Sequence, residues 1–370
     1  MLPYVLLMFL PAIFPLIAYR PTVFTSVEGY EEMTEKRNKM TLGLFFFFFF
    51  VLLALRDIAV GSDLITYKTI FQNTANTSFG DLSGSQWELG YIAYNKLISF
   101  ISKNYRIFLM ITSAVILLPI YKLYSKEKRY TYLLIVLFMN MPCFLIVFSG
   151  IRQAVAISIG ALVYIAIDKK KYILSLLLIL IAISFHMSAI VLFLMYPALL
   201  LRIKAKHLRY IVPAMLVIYL FRLRIFSFVL SFMPSRYVQF YGDVQETGAI
   251  GTLLLFLIFF VFSFVILDET EMTQRDFFMR NVLLIATVFQ FFVPVHGLVQ
   301  RASYYFLIFV PISIICVVKA PKRYLKNISD LAIIVLGCFF TVYFFGHAMF
   351  STDNLLDVFP YRFFWSGQGW

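Results

Sequence analysis

Charge is the first thing this chain lacks. Only 14% of its 370 residues are charged, against about 25% in soluble globular proteins. With 62% hydrophobic residues and a mean hydropathy of +0.87, that shortfall excludes a water-soluble domain and points to a polytopic membrane protein. Acids are scarcest: 19 Asp and Glu stand against 32 Lys and Arg, so a carboxylate with chemistry to do comes from a short list. In a soluble protein the net charge of +13 would raise nucleic acid as a partner. Here the basic residues sit in short links between apolar runs, so they carry topology and nucleic acid is set aside. Cysteine is nearly absent. Cys143, Cys316 and Cys338 all lie in apolar runs without a CxxC pair, so no disulfide framework is expected. The four histidines, His186, His207, His296 and His347, have no ligand spacing, and neither a metal nor another cofactor is expected. The run 2–19 lacks a basic n-region and a small-residue cleavage site, and reads as a first span rather than a signal peptide.

What is present is apolar runs. They cover 2–19, 41–55, 107–121, 130–148, 154–167, 173–185, 188–201, 210–221, 250–267, 282–295, 302–318 and 331–346. They predict an all-α bundle of about twelve transmembrane helices in one integral membrane domain, 1–370. Residues 56–104 form the longest polar stretch, an external loop between the second and third spans. Within it 91–102 is half apolar and reads as an interfacial or re-entrant helix. Residues 347–370 are an aromatic, polar external tail. The six phenylalanines Phe45–Phe50 are packing or lipid-facing surface. The links 20–40, 122–129, 168–171, 202–209, 268–280 and 319–327 hold about two-thirds of the lysines and arginines, which places them in the cytoplasm. Both termini then lie outside the cell, across the membrane from those links.

That orientation gathers Arg56, Asp57, Asp63, Glu88, Arg152, His186, His296 and Arg301 at the outer surface. Arg152 is the most telling of them. It stands between two apolar runs, and an arginine at the centre of a membrane helix costs roughly 2.5–3.5 kcal/mol on insertion scales. It therefore snorkels to headgroups or faces a polar cavity with an anionic partner. The neighbours Gly150 and Gln153 make a poor lipid face and favour the cavity. Outside the membrane there is neither ATP nor nucleotide sugar, so a reaction there draws on a bond its substrate carries. Polyprenyl-pyrophosphate-linked sugars are such substrates. Arginine forks bidentately onto phosphate oxygens and stabilises the charge that builds on a departing pyrophosphate. A carboxylate or histidine takes the proton from an attacking sugar hydroxyl.

Arg56 with Val60-Gly61-Ser62-Asp63 and Tyr67, then Trp87-Glu88-Leu89-Gly90-Tyr91, Ser149-Gly150-Ile151-Arg152-Gln153, Phe185-His186-Met187-Ser188, Gln300-Arg301-Ala302-Ser303-Tyr304 and Phe359-Pro360-Tyr361-Arg362 follow one another along the chain. In that order they resemble the EpsG family, bacterial membrane proteins grouped with Wzy-type O-antigen and exopolysaccharide polymerases. The first motif departs in carrying Ser62 where threonine is more usual. The resemblance implies a metal-independent glycosyltransferase with a GT-C-like bundle. It would polymerise undecaprenyl-pyrophosphate-linked repeat units on the outer face of the inner membrane. Donor and acceptor glycans and membrane lipid are then its partners, with a chain-length regulator as a further one. Under that reading Asp63, Glu88 and His186 are the catalytic candidates, with Asp63 ranked first as base and Glu88 second. Arg56, Arg152, Gln153 and Arg301 are candidates for the pyrophosphate, and Tyr67, Tyr91, His296 and Tyr304 for the sugars. Each has a plainer alternative: snorkelling for the arginines, loop solubility or pairing with Arg56 for the acids, a buried backbone hydrogen bond for His186, an interfacial belt for the aromatics. A lipid-linked oligosaccharide flippase, a membrane acyltransferase and an O-antigen ligase are the rival functions. The flippase should carry an internal repeat and mid-membrane polar residues, and neither is evident here.

Overall fold

The computed structural model describes residues 1–19, 27–78, 87–127, 129–232, 249–319, 326–351 and 355–366. Arg236, Asp243 and Glu246, the loop segment 79–86 and the link segments 20–26 and 320–325 lie outside the described residues. The described chain is helical, with no β-strand among its residues beyond one isolated bridge, Arg56 to Phe363. Among the described residues four helices are long and apolar enough to cross a membrane: Gly29–Leu55, Tyr105–Tyr124, Ile151–Asp168 and Leu331–Phe350. Three bent helix pairs bring the number of spans to as many as seven, and Leu2–Ala18, Tyr172–Phe185 and Ile250–Val265 are shorter apolar helices. The chain is thus a multi-pass membrane protein. Fewer segments reach spanning length than the about twelve apolar runs read from sequence, because many runs are short or bent.

The chain divides into two compact units, 1–190 with 335–370, and 191–334. The first unit contains α1 (Leu2–Ala18), α2 (Val27–Leu55), α3 (Leu64–Asn76), α4 (Leu89–Ile101), α5 (Tyr105–Tyr124), α6 (Thr131–Met139), α7 (Pro142–Ser149), α8 (Ile151–Asp168) and α9 (Tyr172–Phe185). Helix α8 packs on α5 and α9, and α2 packs on α1, α5 and α6. The phenylalanine run sorts by helical period. Phe45, Phe46 and Phe49 are buried against Phe138, Tyr124 and Phe144, while Phe47 is exposed. Lipid is as apolar as these rings, so packing and polar tethers rather than water exclusion favour this arrangement.

Three local differences from the sequence reading have physical causes. The charged link 20–40 is helical from Val27 onward, since Glu, Met, Lys and Arg are good helix formers. The run 130–148 is two helices bent by 64°. Pro142 starts the second and has no N–H to continue the first. Asn140 sits in the bend and donates to Val136 O (2.7 Å) and Phe340 O (3.0 Å). Arg152 lies in the first turn of α8 rather than in a break between helices, the break being Gly150. The half-apolar stretch 91–102 is α4, which is not among the spanning helices.

The second unit contains α10 (Met195–Leu200), α11 (Leu208–Leu220), α12 (Arg222–Leu230), α13 (Ala249–Val265), α14 (Gln274–Phe292), α15 (Gly297–Leu307) and α16 (Val310–Lys319). Helix α14 is its hub, packed on α10, α11, α12, α13, α15 and α16. A reciprocal capping box between Thr273 and Asp276 starts it. Helix α17 (Lys326–Phe350) follows and leads to the tail in the first unit.

Candidate functional site

Eight of the eleven residues singled out from sequence fall in the first unit: Arg56, Asp63, Tyr67, Glu88, Tyr91, Arg152, Gln153 and His186. The site is built where the end of α2, the start of α3, the start of α4 and the junction of α7 with α8 converge.

Arg152 forms an ion pair with Glu88, 64 residues away in sequence. Their side chains keep 14% and 19% exposure, so the pair is recessed but not sealed. The Arg152 guanidinium also lies over the Trp87 ring, 4.4 Å from its centroid, a cation–π contact. Tyr67 is a further polar neighbour of Arg152. Tyr67 and Tyr91 meet edge to face, 5.7 Å between ring centroids. Burial pushes the Tyr91 hydroxyl well above its ordinary pKa, with Tyr67 nearby adding to the shift. The Arg152 Nε is buried and has no hydrogen-bond partner among the described residues. Gln153, the next residue, is buried at the same level.

The two acids differ in what they are committed to. Both are helix N-caps, Asp63 on α3 and Glu88 on α4, and neither side chain makes a capping hydrogen bond. Glu88 is taken up by Arg152. The Asp63 carboxylate is half-buried and has no ion pair or hydrogen bond among the described residues. What is held is the Asp63 backbone, whose N–H donates to Ser149 Oγ at 3.3 Å. Ser149 Oγ also shares a 2.8 Å hydrogen bond with Ser62 Oγ.

Gly61 makes that approach feasible. Its φ is +115°, and a Cβ there would lie 2.5 Å from the Phe148 carbonyl oxygen. Only glycine tolerates both conditions. Gly90 does a related job on α4, where a Cβ would fall 2.1 Å from Ser184 Oγ on α9. The close α4–α9 contact brings the end of α9 beside the site, and Phe185 meets Tyr94 at 5.5 Å. His186, the next residue, caps α9 and is half-buried, with Nδ1 2.6 Å from Ser188 Oγ.

The tail supplies the part that sequence reasoning missed. Residues 355–364 return more than 290 positions along the chain to cover the segment 56–62. Gly61 N donates to Asp357 O (3.1 Å) and Ser62 N to Leu356 O (2.9 Å). Asp57 N donates to Arg362 O (2.9 Å) and Phe364 N to Leu55 O (3.1 Å). Tyr361 OH donates to Leu52 O (2.8 Å) and Tyr4 OH to Val358 O (2.6 Å). Leu355, Leu356 and Asp357 all have positive φ, a conformation that costs L-residues roughly 1–2 kcal/mol each and that these bonds hold. Arg56 is sealed beneath this tail at 2% exposure. Its Nη1 donates to Leu53 O (2.7 Å) and its guanidinium lies 5.9 Å from the Phe148 ring centroid. Burial pushes Arg56 down to about 10, and Tyr105, Tyr361 and Tyr4 partly oppose the shift. It stays cationic at neutral pH. The tail motif Phe359-Pro360-Tyr361-Arg362 was visible in sequence, but no local pattern said what it would touch.

His296, Arg301 and Tyr304 lie in the second unit. His296 is the N-cap of α15, its Nδ1 accepting from Leu298 N at 3.1 Å, and its ring lies 5.0 Å from Phe226. Arg301 is half-buried on the same helix and Tyr304 is buried. The capping bond gives His296 a structural task that its sequence context did not reveal.

The site therefore offers a recessed arginine with a carboxylate partner, an aromatic wall, and a second carboxylate left uncommitted. Comparison with known proteins adds one finding: residues 39–363 match the model of the EpsG family. No curated protein and no solved structure matches the chain.

Proposed function

The chain belongs to the EpsG family, and from that premise we propose that it is a polysaccharide repeat-unit polymerase acting on lipid-linked oligosaccharides. Its substrates are undecaprenyl-pyrophosphate-linked glycans, and the reaction takes place on the outer face of the cytoplasmic membrane, in a GT-C-type bundle. Family membership carries this reading, and the division between the two acids carries the assignment of roles within it: Glu88 is paired with Arg152, and Asp63 is uncommitted close by.

In this mechanism Arg152 binds the pyrophosphate of the growing chain, with Glu88 and the Trp87 face holding its guanidinium in place beforehand. A hydroxyl of the incoming repeat unit attacks the anomeric carbon. Its proton passes to the Asp63 carboxylate as the new C–O bond forms. The bond from the anomeric carbon to the pyrophosphate oxygen breaks, and the electron pair leaves with the lipid pyrophosphate. Arg152 is worth more to that developing charge than to the ground state. Trp87, half-buried, is the aromatic face offered to sugar rings, while Tyr67 and Tyr91, at 5% and 0% exposure, are too buried to stack on sugar and back the site instead. Arg56 adds positive potential from beneath the tail, and His186 stands at the edge of the site as a proton-transfer or phosphate group. Arg301 stays a candidate for pyrophosphate and His296 and Tyr304 for sugar, within the second unit.

The test is direct. Purified protein incubated with lipid-linked repeat units alone makes a ladder of multimers. Arg152→Ala inserts in the membrane yet yields no long products. A normal ladder from that variant overturns the role of Arg152. Absence of multimers from the wild-type protein, with product formed only when a lipid A core is added, overturns polymerisation in favour of ligation.

A further inference from the structure

We infer that Ser149 is a positioning residue that couples the proposed base to the proposed pyrophosphate ligand. The inference rests on the polymerase reading above and goes beyond it, because Ser149 has no chemistry of its own to contribute there.

Ser149 is the last residue of α7 and is fully buried. A serine at the end of a membrane helix normally returns its hydroxyl to a carbonyl one turn back. Several serines here do so, including Ser158 to Val155 O (2.8 Å) and Ser184 to Ile181 O (2.7 Å). The Ser149 hydroxyl reaches instead across 86 residues of sequence, accepting the Asp63 N–H and bonding Ser62 Oγ. Three consecutive positions of the Gly61-Ser62-Asp63 motif thus meet the last two residues of α7: Gly61 against the Phe148 carbonyl, Ser62 and Asp63 against Ser149.

The consequence is geometric. Asp63 starts α3 without using its side chain as a cap. Its backbone N–H is therefore the handle by which the site sets the direction of the carboxylate. Ser149 is three residues before Arg152, a separation of at most roughly 11 Å along the chain. One buried hydroxyl thereby holds the carboxylate on α3 in register with the guanidinium on α8. A hydrophobic residue of equal size would fill the space and leave the register unset.

The experiment measures kcat and KM of the purified enzyme on lipid-linked repeat units, alongside its melting temperature. Ser149→Cys keeps the volume and weakens the acceptor, so it tests the hydroxyl without opening a cavity. Ser149→Ala removes it altogether, and Ser149→Thr restores a hydroxyl. We expect Ser149→Cys and Ser149→Ala to lose on the order of ten- to a hundredfold in kcat, with KM within about twofold. Ser149→Thr should recover part of the rate, and Ser62→Ala, which leaves the Asp63 N–H bond in place, should stay within about threefold of wild type. Wild-type kcat in Ser149→Cys overturns the inference, as does a loss confined to KM. If Ser149→Ala fails to fold, Ser149→Cys and Ser62→Ala still decide it. Asp63→Asn separates the two levels of the argument: full activity in that variant removes Asp63 as base and leaves the polymerase reading untouched.

Discussion

Replacing Gly61 by alanine tests the contact on which the site's two halves depend. The backbone there has φ +115°, and the new Cβ would lie 2.5 Å from the Phe148 carbonyl oxygen and 3.1 Å from its carbon. Holding a non-glycine residue in so sparsely populated a region costs on the order of 1–3 kcal/mol. Forcing an extra methyl into packed surroundings costs about 1–3 kcal/mol more. The clash is with main chain rather than with a flexible side-chain end, so the second cost cannot relax cheaply. Together these come to roughly 2–6 kcal/mol, a large share of typical folding stability. The matched control is Gly43→Ala. Gly43 lies within α2, has nothing within 4 Å of its Cβ position, and should gain about 0.5–1 kcal/mol in helix stability. Melting of the two variants in the same detergent should diverge in sign, Gly61→Ala falling by several degrees. If the Gly61→Ala chain survives by shifting its backbone, Asp63 moves with it. A misplacement of about 1 Å costs on the order of a hundredfold in rate, so polymer yield falls even where folding is retained. Equal melting temperatures and equal product ladders for the two variants would refute this reasoning.

Other substitutions separate roles that share the same side chains. Glu88→Gln removes one partner of the recessed ion pair, leaving Arg152 with a neutral acceptor; melting temperature falls and chain extension slows, and a more stable, equally active variant would deny Glu88 its orienting role. Arg56→Met replaces a sealed cation by an apolar chain of similar size, a swap often neutral or stabilising for buried charges; the variant should melt no lower than wild type while product length drops, and undiminished product would make Arg56 purely structural. Lys96 is 8% exposed and its Nζ donates to Thr77 O (2.7 Å) and Thr74 O (3.3 Å) at the end of α3; Lys96→Met should cost about 1.5–3 kcal/mol, the range for charged hydrogen bonds, read as a lower melting temperature. His296→Asn keeps an N-cap acceptor and removes the imidazole; retained activity assigns His296 to capping, and lost activity at unchanged stability assigns it to the reaction.

Membrane class and helical architecture were legible because they depend on composition and on runs, which are local. The half-apolar 91–102 segment read as a helix for the same reason, and α4 covers it. Arg152 was legible as a residue needing an anionic partner, since an arginine among apolar runs has few alternatives. Its choice of Glu88 over Asp63 was not legible, because both acids precede helices and both lie in the same polar loop. The bend at Asn140 left a weak mark, a single Pro142 in an apolar run. The tail's return over 56–62 left none: it is a set of backbone hydrogen bonds spanning some 300 residues, and backbone groups carry no sequence code. Ser149 was hidden in the same way, since its partner is a main-chain N–H and a second serine.

Under the proposed mechanism the tail also sets which arginine meets the substrate first. Arg56 and Arg152 were both pyrophosphate candidates from sequence, each flanking an apolar run. In the folded chain one is closed off and the other is not. Arg56 lies under residues 355–364, with a carbonyl of its own helix end on Nη1 and Phe148 beside its guanidinium. Arg152 keeps 14% exposure behind Glu88, itself 19% exposed. An anion arriving from water therefore reaches Arg152 by displacing one carboxylate, whereas reaching Arg56 means breaking several backbone hydrogen bonds at once. A phosphate offers the same guanidinium charge-assisted hydrogen bonds of the same kind, and the released Glu88, 19% exposed, turns to water. Unpairing the tail exposes buried donors and acceptors that each cost about 1–3 kcal/mol when left unsatisfied. Under the proposed mechanism Arg152 is therefore the contact residue, and Arg56 acts at a distance through its charge, fixed in place by the far end of the chain.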